Sequence, residues 1–134
     1  MEFKEAVTRN LRRSEGLGKF SGRAGRAEFL WFYLFSLIWI YGSAAVGVIV
    51  VAALLSLGGT LGVVVGAVAL LAFYVSLFVI NFQNLALFTR RMHDVNRSGW
   101  WFLLAFTGIG SIALIYWALR AGDKGANQYG KEAA

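Results

Sequence analysis

The run Arg90-Arg91-Met92-His93-Asp94-Val95-Asn96-Arg97-Ser98-Gly99-Trp100-Trp101 holds the densest set of charged and polar side chains in this 134-residue sequence. If a helix continues through it, Asp94 stands four residues from Arg90 and three from both Arg91 and Arg97, all within side-chain reach. One carboxylate then organises three guanidiniums. The surplus of two positive charges requires another carboxylate or a lipid phosphate. Glu28 is the candidate within the chain, because Ala24, Gly25, Trp31 and Phe32 give it no basic neighbour a turn away. The pattern predicts an ion pair between Glu28 and Arg90 or Arg91. His93 and Asp94 are adjacent, which sets them about 100° apart on a helix and makes no ready acid–base pair. With no Cys and a single His, neither a metal cage nor a thiol nucleophile is indicated. A binding surface without a cofactor is expected, rather than a catalytic centre.

Two amides belong to the same reading. Asn81 and Asn84 lie about one turn apart, and the face they share continues to Arg91, so they form a polar seam in an apolar segment. Polar groups at that depth face a bundle interior and find partners there. Glue between helices is the plain explanation and a substrate path the functional one.

The elements that must position these residues follow from where charge is missing. From Phe29 to Thr89 there are 61 consecutive residues without Asp, Glu, Lys, Arg or His, in a chain that is 58% hydrophobic and 15% charged. That excludes a disordered chain and a small soluble domain. A hydrocarbon core is about 30 Å thick and about 20 helical residues span it, so this stretch is long enough to cross twice. Ser56-Leu57-Gly58-Gly59-Thr60 supplies the reversal. Transmembrane helices are therefore expected at 29–57 and 60–89, followed by a basic loop or helix extension at 90–99. Gly62 and Gly66 form a G-x-x-x-G on the second helix, suited to close packing within the chain or to a homo-oligomer contact.

A third apolar run, Trp100 to Leu119, lies between Arg97 and Arg120. Its length just suffices for one crossing. Thr107-Gly108-Ile109-Gly110-Ser111 at its midpoint offers the alternative of a re-entrant hairpin, which demands that the bent backbone be buried in protein. A chain this short has little to bury it in, so a full crossing is expected. Positive charge is retained on the cytoplasmic side during insertion. Lys4, Arg9, Arg12, Arg13, Lys19, Arg23 and Arg26 precede the first span, Arg90, Arg91 and Arg97 follow the second, and the glycine turn has none. The N-terminus should be cytoplasmic. Three crossings put the tail outside with Arg120, Lys124 and Lys131, whereas re-entry would hold all 13 basic residues inside, as charge counting prefers.

The first 13 residues place Phe3, Ala6, Val7 and Leu11 on one helical face, as for an amphipathic helix in the headgroup layer; a frayed tail is the alternative. The basic stretch is too long for a cleaved signal, and no A-x-A-like site follows it. Trp31, Trp100 and Trp101 mark one boundary and Tyr116 and Trp117 the other.

Phe20-Ser21-Gly22-Arg23-Ala24-Gly25-Arg26-Ala27-Glu28-Phe29-Leu30-Trp31-Phe32, the Arg90 to Trp101 run, and a tail with Gly122, Gly125, Asn127, Tyr129 and Gly130 together resemble the YhaH/YhaI-type bacterial inner-membrane family, a domain of unknown function. Leu30, Met92 and Lys131 depart from its usual Trp, Leu and Pro, and the third apolar run lacks the proline commonly found there. The resemblance implies a small integral inner-membrane protein and no established reaction.

The expected fold is thus all-α: three transmembrane helices in a single membrane domain with an N-terminal interfacial helix. The candidate cluster is Arg23, Arg26, Glu28, Arg90, Arg91, His93, Asp94 and Arg97, holding anionic phospholipid headgroups at the cytoplasmic boundary. The alternative is an oligomeric transporter or channel component using the Asn81, Asn84 and Arg91 seam. The net charge of +6 reflects membrane flanks and comes with no nucleic-acid recognition motif.

Overall fold

Arg26, Ala27 and Glu28 open the first long helix, and His93 and Asp94 close the second, so both charged ends expected to flank the apolar run are helical. The computed structural model describes residues 1–12, 18–57 and 59–133. Its helices are α1 (Phe3–Leu11), α2 (Arg26–Leu57), α3 (Gly59–Asp94), a 3-10 helix over Gly99–Thr107, and α4 (Ile109–Leu119). Arg13 and Gly58, used above in the basic flank and the turn, lie outside the described residues. Gly59 adopts φ +80°, a left-handed conformation that glycine enters without steric cost.

The chain divides into two compact units, Phe35–Asn81 and Met1–Leu34 with Phe82–Ala134. In the first, Gly62 meets the facing helix so closely that a Cβ would stand 2.6 Å from the Leu54 carbonyl oxygen. That glycine is packed within the chain, the first of the two roles expected of the G-x-x-x-G. Polar side chains are satisfied locally: Ser56 donates to the Ala53 carbonyl at 2.7 Å, Ser76 to Phe73 at 2.8 Å, and Asn81 to Leu77 at 2.8 Å. The apolar side chains of Ile38, Val48, Leu61 and Phe78 point outward. The most apolar stretch of α2 has none of its residues buried, and that of α3 has 11%. The core helix of a water-soluble protein has the opposite distribution. Both helices are long and apolar enough to cross a membrane.

In the second unit, α3 ends at Asp94 and is followed by Asn96 in the left-handed conformation, φ +56°. The Arg97 amide returns to the Met92 carbonyl at 2.8 Å and the Asn96 amide to His93 at 3.1 Å. This is the paired terminal bonding of a Schellman motif, with Asn at the left-handed position. The Ser98 side chain then accepts from the Trp100 amide and starts the 3-10 helix.

The continuous helix expected over 100–119 does not form. Gly108 at φ +65° breaks the run, and the 3-10 helix and α4 fold back on one another, with Trp101 and Trp117 meeting edge to face at 5.3 Å. Each arm is about 16–18 Å long at about 2.0 Å per residue for 3-10 and about 1.5 Å for α geometry, well short of a hydrocarbon core. At the tip the polar groups are satisfied locally. Thr107 donates to the Leu104 carbonyl at 2.8 Å and accepts from the Gly110 amide at 3.1 Å, while the Ser111 hydroxyl and amide both reach the Gly108 carbonyl. Phe106 and Ile109 flank the tip at 82% and 84% exposure.

Candidate functional site

Two carboxylates, Glu28 on α2 and Asp94 at the end of α3, are buried and each holds its own set of arginines. Glu28 Oε1 receives Arg90 Nη1 at 3.1 Å and Asn10 Nδ2 at 3.1 Å, and Arg9 stands 3.6 Å from Oε2. Asn10 Oδ1 in turn accepts from Arg90 Nη2 at 2.5 Å and from Gln83 Nε2 at 3.3 Å. Gln83 Oε1 accepts the Gly18 amide at 2.7 Å. Helix α1 docks on this side through Ala6 and Asn10, with Phe3 edge-on to Trp31 at 5.8 Å. Leu11, on the expected apolar face, is exposed. Arg90 Nε is buried and has no hydrogen-bond partner among the described residues.

Asp94 is bound from two directions. Arg23 Nε donates to Oδ1 at 2.9 Å, and Arg91 Nη1 donates to Oδ2. The remaining donors of both arginines capture backbone. Arg23 reaches the Gly125 carbonyl at 2.6 Å and that of Asp123, while Arg91 reaches Ala118 at 2.9 Å and Arg120. Ala118 and Arg120 lie at the end of α4, where carbonyls have no partner within the helix. The planar guanidinium fork suits that geometry. Arg91 is 0% exposed, and one side chain thus ties α3 to the far arm of the hairpin. The chain after α4 is fastened further: Asp123 donates its amide to the Asp94 carbonyl at 2.8 Å, and Asn127 donates its side-chain amide to the His93 carbonyl at 2.9 Å. Tyr129 stacks parallel on the His93 ring at 3.8 Å.

The expected cluster is therefore divided. Arg23, Glu28, Arg90, Arg91 and Asp94 are buried together, but Asp94 does not organise Arg90 and Arg97 as the spacing suggested. Arg90 belongs to Glu28, and Arg23, distant in sequence, takes its place at Asp94. Arg97 sits outside over Trp117 at 4.8 Å and Trp101 at 5.7 Å, a double cation–π contact at the neck of the hairpin. Arg26 is exposed, and among the described residues no carboxylate pairs with it or with Arg97. His93 Nδ1 bonds the Gly22 carbonyl at 3.0 Å while both Asp94 oxygens face arginines. Arg91, the end of the expected Asn81, Asn84 and Arg91 seam, directs its donors to Asp94 and to the Ala24, Ala118 and Arg120 carbonyls. Asn10 and Gln83 are the site residues that sequence reasoning missed; a polar residue beside Ala6 on the apolar face of α1 was the available signal.

These features define a small all-helical chain with two helices of membrane-spanning length and an internal arginine–carboxylate lock. The chain belongs to the family described as protein of unknown function (DUF805), whose pattern matches residues 17–131. It is 38% identical over 114 residues to the inner membrane protein YhaI of Escherichia coli strain K12, covering 84% of each chain, and equally to YhaI of Escherichia coli O157:H7. No solved structure matches it significantly.

Proposed function

We propose that the protein is an inner-membrane binding module. In this reading α2 and α3 span the bilayer, and residues 99–119 form a hairpin that enters from the cytoplasmic face and returns to it. The observation carrying this is the reach of Arg91 to the Ala118 and Arg120 carbonyls, which brings the far end of the third apolar run back to the end of α3. Gly99 at the near end lies directly against Thr89 of the same helix. Both ends of the run thus meet one helix terminus, which supports two crossings over the three expected from sequence. All 13 Lys and Arg then lie on one side and none at the Gly59 turn, the distribution that positive-inside insertion favours. The Escherichia coli relatives, both named as inner membrane proteins, agree with it.

Within this topology the buried arginines are structural, and the residues offered to anionic headgroups are Arg97 and Arg26. Surface attraction supplies about 1 kcal/mol per basic residue at an anionic membrane, and Arg97 is held in place by Trp101 and Trp117. A fluorescent protein fused after Ala133 should fluoresce and an alkaline phosphatase fused there should be inactive; the reverse pair of results contradicts the two-crossing topology. For the ligand, the double variant Arg26→Gln, Arg97→Gln should retain less phosphatidylglycerol and cardiolipin after extraction into a lipid-retaining polymer. Unchanged lipid content removes the headgroup assignment.

A further inference from the structure

A cleft of about 450 Å³ opens beside the end of α3, and none of the residues lining it is Asp, Glu, Lys or Arg. Its volume lies within the about 300–1,000 Å³ usual for small-molecule sites. Its walls include the rings of Phe20, Trp100 and Phe102, the last two stacked at 6.4 Å and 28°. Thr89, His93 and Ser98 supply its polar lining. Gly99 closes the gap between the wall elements: a Cβ there would lie 2.3 Å from Thr89 Cγ2, so any larger residue would force the 3-10 helix away from α3.

The polar groups have defined roles. A carbonyl oxygen only accepts, so the 3.0 Å contact with Gly22 places the imidazole hydrogen of a neutral His93 on Nδ1 and leaves Nε2 as an acceptor. Stacking on Tyr129 fixes the ring plane. Ser98 Oγ accepts from the Trp100 amide, which leaves its hydroxyl hydrogen to donate. An anionic phosphate in such a cleft would lose hydration with no cation among the lining residues to replace it. A flat, uncharged ring meets the aromatic walls instead.

We propose that this cleft binds the ring of a membrane quinol, with one ring hydroxyl donating to His93 Nε2, the other ring oxygen accepting from Ser98 or Thr89, and the isoprenoid tail left in lipid. The cleft uses none of the residues assigned above to headgroups. That reading is tested by lipid retention and this one by quinol binding, so the two fail separately.

The test uses the full-length protein in phosphatidylcholine nanodiscs, titrated with decylubiquinol and followed by tryptophan fluorescence. Saturable quenching is expected. His93→Phe keeps a ring against Tyr129 and removes the acceptor, and Thr89→Val keeps the shape and removes a hydroxyl. His93→Phe should weaken binding about fivefold, the factor corresponding to one lost hydrogen bond, and Thr89→Val combined with Ser98→Ala, which removes both candidate donors, should do the same. If His93→Phe does not fold, Thr89→Val together with Ser98→Ala decides the matter. Non-saturable quenching, or equal affinity in wild type and folded variants, means simple partitioning into lipid and overturns the proposal. Displacement of the quinol by short-chain phosphatidylglycerol also overturns it, in favour of a phospholipid site.

Discussion

Gly122 lies so close to Asp94 that a Cβ on it would stand 2.0 Å from Oδ2 and 2.6 Å from the carboxylate carbon. The segment after α4 can therefore seat against the Asp94 carboxylate only because residue 122 has no side chain. The adjoining Asp123 amide bonds the Asp94 carbonyl, so the displacement caused by a methyl group would propagate into the backbone. Gly122→Ala should cost about 1–3 kcal/mol, the range for overpacking a close contact, read as a lower thermal midpoint in detergent. An unchanged midpoint would show that the segment does not rest on Asp94.

Glu28 and Arg90 form the pair that joins α2 to the end of α3. Losing one partner leaves a buried charge, with a cost of about 3–5 kcal/mol, so Glu28→Arg and Arg90→Glu should each reduce the amount of folded protein sharply. The double exchange should recover part of that loss, and Glu28→Arg with Arg91→Glu should recover none, since Arg91 serves Asp94. Equal recovery by both double variants would contradict the division of the arginines.

The hairpin tip depends on Thr107 and Gly110. A Cβ at Gly110 would lie 2.5 Å from the Leu104 carbonyl oxygen and 2.4 Å from Thr107 Oγ1. Thr107→Val removes the hydroxyl that serves both Leu104 and Gly110, with an expected loss of about 1–3 kcal/mol for polar groups left unpaired. Gly110→Val should destabilise at least as much. Thermal unfolding in detergent checks both, and a neutral Thr107→Val would mean that the tip is satisfied by other groups.

Asn96 carries the left-handed residue that ends α3. Gly should be tolerated there within a few tenths of a kcal/mol. A β-branched residue meets the full steric penalty of that region, about 1–2 kcal/mol. Thermal midpoints of Asn96→Gly and Asn96→Val should separate accordingly, and identical midpoints would place the helix end elsewhere.

The 61 uncharged residues determined two long apolar helices, because a continuously apolar run without the alternation of a barrel strand satisfies its backbone groups in lipid only as helix. Glu28 lacks a basic neighbour on its own helix, which made its pairing across helices legible; the choice of Arg90 over Arg91 was not. Successive arginines point about 100° apart, and which one faces Glu28 depends on how α2 and α3 pack. Arg23 could not have been matched to Asp94 by spacing, since 71 positions separate them. The third apolar run shows the same division. Its composition specified an apolar segment with a weak centre, whereas its return toward α3 rests on Arg91 binding the Ala118 and Arg120 carbonyls. Local periodicity and charge are properties of neighbours along the chain, so the sequence by itself determined the elements and their affinity for lipid. Contacts between segments distant in the chain exist only once it has folded, and the tertiary structure alone decided which arginine holds which carboxylate and whether the last apolar segment turns back.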